Sequence, residues 1–350
     1  MNTLSDFDPD ELGRQFAAWG FKAPHARRVL QSYYDHAGAV AWPELRAPAA
    51  LRARLEAECA LAGSSVAARR VAEDGAVKLL LRLADGRTVE SVLMPAYRPD
   101  RASGCLSSQV GCALACDFCA TAQSGFERNL SAGEMVEQFL QLRREARVLG
   151  RRLQTIVFMG MGEPLLNLEN VLAAIRRIAG GGLGAVGWRQ VTVSTVGIVP
   201  GIDALAAAAL NVNLAVSLHA PDDATRARLI PAGRRFGVAE VLAAADRFQA
   251  ACNGRPVSVQ YCLLKDVNDA PAQARQLADR LEGRRMHVNL LHYNPTGASL
   301  TGRTYKPSPP AAEDAFMDEL KARGVVAHFR RPRGRDIDAA CGQLRRRVSG

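Results

Sequence analysis

Apolar positions recur at helical spacing over Asp10–Trp19 and Ala26–His36, and a third such segment runs from Pro48 to about Ala62. Residues 8–62 therefore read as helices. The pattern then shortens. Ala76–Leu83 and Thr88–Met94 are β-rich runs separated by Asp85-Gly86, a strong hairpin signal. Beyond residue 95 strands and helices alternate. The candidate strands are Cys105–Val110, Thr155–Met159, Gln190–Ser194, Asn213–Ser217, Val257–Leu264 and His287–Leu291. Between them lie helical stretches at Glu134–Val148, Leu168–Ile178, Asp203–Ala209, Val238–Ala251 and Ala272–Leu281, the first opened by Ser131 and Glu134 at capping-box spacing. Six βα units imply an α/β fold whose parallel sheet curves into a partial or full barrel. Ligands of such folds sit at the C-terminal ends of the strands. Thr296–Pro310 reads as a loop, and the stretch from Arg330 to Arg347 is rich in arginine.

Composition narrows the class. Of 350 residues, 48% are apolar and 23% charged, an ordinary globular balance with length for one large domain and a smaller one. The 45 Lys and Arg exceed the 35 Asp and Glu by 10. Such an excess points to a polyanionic partner, because each phosphate contact releases counterions. No apolar run approaches the ~20 residues needed to span a bilayer, and Met1 to Pro9 is polar and acidic, unlike a signal or transit peptide. The expectation is a cytoplasmic protein with no membrane partner, in a compartment that keeps thiols reduced. Its eight cysteines then point to metal or catalytic chemistry before disulfides.

Those cysteines are unevenly spread. Cys112, Cys116 and Cys119 form CxxxCxxC just after the first candidate barrel strand, with Cys105 nearby. Three thiolates at this spacing can hold three irons of a 4Fe–4S cube, leaving the fourth to chelate the amino and carboxylate groups of S-adenosylmethionine (SAM). This arrangement resembles the radical SAM superfamily. The competing reading is a structural zinc site with Cys105 as fourth ligand, although zinc sites more often carry paired CxxC knuckles. Gly162-Glu163-Pro164 follows the second barrel strand, where the superfamily sets a Gly-Glu pair near the SAM amino group. Ser194 ends the third strand and Ser217-Leu218-His219 the fourth, so hydroxyl, imidazole and backbone groups converge on the rim that suits the ribose and carboxylate of SAM.

The resemblance becomes narrower with the flanking residues. Ser107-Ser108-Gln109-Val110-Gly111-Cys112, Phe118-Cys119-Ala120-Thr121-Ala122, Met159-Gly160-Met161-Gly162-Glu163-Pro164-Leu165, Ser217-Leu218-His219-Ala220-Pro221, Asn294-Pro295 and Asp336-Ile337-Asp338-Ala339-Ala340-Cys341-Gly342 resemble the RlmN/Cfr family of radical SAM adenosine methyltransferases. One departure lies after Leu229-Ile230-Pro231, where the family continues Ile-Asn and this chain has Ala232-Gly233-Arg234-Arg235. The resemblance implies a partial (β/α)6 radical SAM barrel over residues 96–350 with a C-terminal segment carrying a methyl on Cys341. An accessory module of helices and a β-hairpin, residues 1–95, precedes it as a candidate for RNA binding.

It also implies a chemistry. Carbon 2 of adenine is electron-poor and cannot attack the methyl of SAM, so a radical route is needed. A first SAM would methylate Cys341, and a second, cleaved at the single 4Fe–4S cluster, would yield the radical that activates this methyl group. By motif match, Glu90 is the proton acceptor and Cys105 the resolving thiol that forms a transient disulfide with Cys341. Gly162, Glu163, Ser194, Ser217, Leu218, His219 and Asn294 would hold SAM. The implied substrates are 23S rRNA and tRNA, the electron donor a protein such as flavodoxin, and the enzyme a monomer.

Read without the resemblance, Glu90 is a solvated hairpin residue, Cys105 a buried structural thiol, and Cys59, Cys252 and Cys262 core or incidental. Arg330, Arg331, Arg333 and Arg335 lead into Cys341, where phosphate contacts would position RNA; Arg345–Arg347 suit a solvated tail. Two alternatives stay open: carbon-8 methylation, as in the antibiotic-resistance branch, and a non-catalytic zinc-binding RNA protein.

Overall fold

Ten strands follow one another around one sheet in chain order, in a computed structural model that describes residues 2–180, 183–252 and 254–344. They are β1 Ser64–Val71, β2 Val77–Leu83, β3 Thr88–Pro95, β4 Arg101–Cys105, β5 Arg152–Phe158, β6 Val191–Thr195, β7 Asn213–Ser217, β8 Val257–Leu263, β9 Met286–His292 and β10 Ala327–Arg330. The first four pair antiparallel, and β4 through β10 pair parallel. Three helices precede the sheet: α1 Pro9–Ala18, α2 His25–Asp35 and α3 Ala49–Glu58. Six longer ones fill the crossovers, one in each: α4 Ala132–Val148, α5 Leu168–Ile178, α6 Val199–Ala207, α7 Val238–Ala251, α8 Pro271–Leu281 and α9 Pro310–Ala322, with short helices at Ala120–Gln123 and Asp223–Leu229 besides. Six βα units result, with β10 following the sixth.

Several elements differ from the expectation. The strand expected over Cys105–Val110 stops at Cys105, because Ser107 is drawn off the ladder by its own bonds: its N–H donates to Gln138 Oε1 at 2.8 Å and its hydroxyl to the Glu90 carbonyl at 2.7 Å. Gln109–Gly111 then forms a separate ribbon with Phe126–Asn129. The third helix ends at Glu58, and β1, α9 and β10 come in addition to the expected elements. Pro95, where the N-terminal module is expected to end, is the last residue of β3 and pairs with Ala102 of β4, so the ladder runs across that position.

Register explains how a parallel sheet can carry a polar site. Side chains alternate across a strand, so one face holds Val193, Leu214, Val216, Val259, Tyr261 and Leu290, all buried beneath the helices. The other face carries Lys78, Glu90, Cys105, Ser194, Ser217, Gln260, Cys262 and Arg330, aligned by the pairings Val92–Cys105, Ser217–Gln260 and Cys262–Leu291–Arg330. That inward face curls round on itself. The Gly334 N–H donates to Asp74 Oδ2 at 3.0 Å in the β1–β2 turn, only four residues after β10 ends. Four extended residues reach at most ~14 Å, so the two outer ends of a ten-stranded sheet are brought together.

The N-terminal helices share the barrel's core, with Leu12, Phe16, Tyr33 and Tyr34 in one cluster with Phe139 of α4. Their junction is polar at one point. The buried Glu137 of α4 accepts from Ser5 Oγ at 2.9 Å, Tyr33 Oη at 2.6 Å and Ser64 Oγ at 3.1 Å. Removing the acceptor strands three buried donors. Glu137→Ala is therefore expected to lower unfolding free energy by about 3 kcal/mol, and a urea midpoint close to wild type would show the junction dispensable. Among the described residues no helix is long and apolar enough to cross a membrane.

Candidate active site

Gly111 leads into the cysteine loop at φ +79°, and a Cβ there would sit 1.8 Å from the Gly125 carbonyl oxygen. Only glycine fits this crossing, which lets the Cys112 N–H donate to that same carbonyl at 2.9 Å. The loop then folds back. The Cys119 N–H donates to the Cys116 carbonyl at 3.1 Å, and the Asp117 N–H to the Leu229 carbonyl at 2.9 Å. Asp117 is buried and accepts from Tyr305 Oη at 2.7 Å and from Thr301 Oγ1 at 2.7 Å. The Gly/Pro-rich loop after β9 is thereby fastened over the cysteines, and Cys116 and Phe118 pack on a small apolar cluster of Leu229, Ile230, Tyr293 and Tyr305.

The three thiols lie in one cavity. Burial pushes Cys112 up to about 12 and Cys116 well above the usual thiol value, the second opposed only by the Arg226 guanidinium. Thiols in such surroundings ionise when a cation of higher charge arrives, so the donor set suits a metal cluster. Arg226 is itself buried, and its terminal nitrogens donate to the carbonyls of Phe236 and Val196.

The loop after β5 forms the opposite wall. Gly162 has φ +98°, and a Cβ would meet Gln109 Cβ at 2.6 Å, so the chain passes where no side chain fits. The Glu163 N–H donates to Gln109 Oε1 at 2.9 Å, while its carboxylate accepts from the N–H groups of Leu165 at 3.0 Å and Val196 at 2.9 Å. Burial raises Glu163 to about 7 against the pull of those backbone donors. A bound ammonium would return it to the carboxylate form, which suits the amino group of an amino-acid ligand.

His219, at φ +58°, is held near a pKa of about 3 by burial first and by Arg226 second, so its ring is neutral. Its Nδ1 accepts the Cys262 N–H at 2.9 Å, which leaves the ring proton on Nε2 as a donor. Asn294 also lines the cavity, and its buried Oδ1 lacks a hydrogen-bond partner. An orphaned acceptor here fits a polar ligand.

The C-terminal segment supplies the last wall. The Ala120 N–H donates to the Gly342 carbonyl at 2.7 Å, and Thr121 Oγ1 to the Leu344 carbonyl at 3.0 Å. Cys341, between them, is a free thiol whose exposed surface opens on the cavity. The surrounding walls raise it, offset in part by Arg330. Arg330, Arg331 and Arg333 line the same mouth, whereas Arg345–Arg347 fall outside the described residues. Cys105, buried on β4, is pushed up to about 12 by burial and then by the neighbouring Cys341 thiol.

Thus Cys112, Cys116, Cys119, Gly162, Glu163, Ser194, Ser217, His219, Asn294 and Cys341 share one cavity. Leu218 does not: it is fully buried in the main core. Glu90 is not the solvated hairpin residue of the default reading but is 1% exposed, with Oε1 3.2 Å from Lys78 Nζ. Cys262 stands in the cavity wall and feels Cys341, while Cys59 and Cys252 belong to the core. The roles of Gln109 and Asp117 rest on contacts distant in sequence; the inward register of Cys262 was readable once β8 was recognised.

Residues 106–278 match the family model of the Radical SAM superfamily. The chain is 67% identical to the probable dual-specificity RNA methyltransferase RlmN 1 of Opitutus terrae, over 98% of its own length and 96% of that protein's. It is 45% identical to the probable dual-specificity RNA methyltransferase RlmN of Thermobifida fusca, over 97% and 94%. A solved radical SAM methyltransferase from Sphaerobacter thermophilus matches with a TM-score of 0.92 at 41% identity, covering 99% of this chain and 100% of that one.

Proposed function

Because the chain belongs to the RlmN family of radical SAM RNA methyltransferases, we propose that it methylates carbon 2 of an adenosine in 23S rRNA and tRNA through an S-methylated Cys341. One observation carries this reading: a further thiol, Cys341, opens on the cavity that Cys112, Cys116 and Cys119 line, with the Cys105 thiol as its neighbour. A cluster site alone has no use for a reactive thiol on the chain's last segment.

Cys112, Cys116 and Cys119 would hold one 4Fe–4S cluster, which with SAM supplies a carbon-centred radical. Two SAM molecules serve each turnover, and electrons come from a protein such as flavodoxin. Glu163 receives the SAM ammonium in its desolvated pocket, and Ser194, Ser217, Asn294 and the Nε2–H of His219 offer further polar contacts. Cys341 carries the methyl group to the base. Glu90 takes the ring proton, and Cys105 releases the product as a disulfide with Cys341. Arg330, Arg331 and Arg333 at the cavity mouth hold backbone phosphates, and the helices of residues 1–95 extend the RNA contact. The enzyme acts as a monomer in the cytoplasm.

The test is nucleoside mass spectrometry of unmodified rRNA and tRNA after anaerobic reaction with reconstituted enzyme, SAM and a reductant. 2-Methyladenosine is expected. 8-Methyladenosine would overturn the position of attack, and no methyladenosine despite SAM cleavage would overturn the substrate class.

A further inference from the structure

We propose that Lys78 is a positioning residue for this reaction, coupling the carboxylate of Glu90 to the loop that carries Cys341. The proposal rests on the reading of Glu90 as proton acceptor. Lys78 interrupts the apolar run Val77–Leu83 and is only 8% exposed. A buried ammonium is tolerated only with partners. Lys78 has two, one on the neighbouring strand and one 260 residues away. Its Nζ lies 3.2 Å from Glu90 Oε1 and donates to the Asp338 carbonyl oxygen at 3.1 Å.

The geometry follows from register. Lys78 stands opposite Val92, and Glu90 opposite Leu80, so lysine and carboxylate share the inward face of β2 and β3 with Cys105 on β4. Asp338 precedes Cys341 by three residues and holds φ +53°, a conformation that a non-glycine residue keeps only under constraint. Further ties of this segment run from the Glu73 N–H to Asp336 Oδ2 at 3.0 Å, and from the Gly334 N–H and the Arg333 guanidinium to Asp74, all in the β1–β2 turn. Lys78 instead reaches a candidate catalytic group. An ammonium presents three donors around a point, so it can serve acceptors in two directions at once. It pairs with Glu90 on the face that Leu80 and Val92 share, and sets the height of the Cys341 loop above that carboxylate.

Three variants of the full-length, anaerobically reconstituted protein test this. Lys78→Gln keeps a donor for the Asp338 carbonyl but removes the charge, Lys78→Arg keeps the charge, and Glu90→Gln reports base loss. Methyl loading of Cys341 is read by intact mass, and the covalent RNA–protein adduct by denaturing gel. Lys78→Gln is expected to load Cys341 within about twofold of wild type yet release adduct about 100-fold more slowly, as Glu90→Gln does. Lys78→Arg is expected to release it about tenfold more slowly than wild type. If Glu90→Gln traps adduct and Lys78→Gln turns over as wild type, the role given to Lys78 falls. Loading and release lost together would overturn it as well, since that is the mark of a merely structural residue. Normal turnover by Glu90→Gln would instead sink the base assignment and the coupling with it. Should Lys78→Gln not fold, Lys78→Arg decides: slowed release with intact loading supports the coupling, and unchanged release overturns it.

Discussion

Cys341→Ala abolishes methylation of RNA while iron content and SAM binding stay at wild-type levels. Cys341 is exposed toward the cavity, and the bonds that hold its loop are made by the main chain of Gly342 and Leu344 to Ala120 and Thr121. Alanine keeps all of them, so the expected change in stability is within ~0.5 kcal/mol. The cluster thiols belong to another loop and keep their own contacts. What disappears is the sulfur that would carry the methyl group, and no general-base or binding contribution can replace a covalent carrier. Nucleoside mass spectrometry beside iron quantification makes the measurement. Methyladenosine at wild-type yield from this variant would remove Cys341 from the reaction.

Cys105→Ala gives the opposite phenotype: the RNA remains covalently attached to the protein and turnover stops after one event. Cys105 sits on the inward face of β4 with the Cys341 thiol as its neighbour, and is otherwise enclosed by the sheet. Its replacement leaves a cavity of one sulfur atom, which costs about 1 kcal/mol and leaves the fold intact. Loading of Cys341 precedes any need for the resolving thiol and proceeds normally. Denaturing electrophoresis of labelled RNA with the protein is the readout. Clean multiple turnover would take the resolving role from Cys105, and Cys262, which also lines the cavity and feels Cys341, would then be the next thiol to replace.

Much of this was readable from residue order. The Ser131–Glu134 capping box forms as its spacing foretells, with both reciprocal bonds present. Helices at Leu168–Ile178 and Val238–Ala251 match their apolar spacing to the residue. What escaped has physical reasons. β1 reads Ser-Ser-Val-Ala-Ala-Arg-Arg-Val and is mostly exposed at a sheet edge, so it has no buried face to announce itself. β10 is four residues long, with only half-buried and exposed positions. The site shows the same division. The thiol spacing is local and legible, whereas the burial of Glu90 depends on Lys78 and on a loop about 250 residues away, which no window of sequence can reveal. Leu218, between two polar rim residues, turns its side chain into the core, so its backbone alone can face the ligand.

The closing of the barrel by its own C-terminal segment has a consequence for synthesis. The bonds that seat the loop of Cys341 join Glu73, Asp74, Lys78 and Thr121 to partners between Gly334 and Leu344, so each closes over more than 220 residues. A nascent polypeptide can fold its helices and most of its sheet as they emerge, since domains form from the N-terminus onward. It cannot seat the Cys341 thiol until the residues from Gly334 to Leu344 have left the ribosome. Under the proposed mechanism, chains stalled before Cys341 are inert: they hold the loop of Cys112, Cys116 and Cys119, and lack the sulfur proposed to carry the methyl group to RNA.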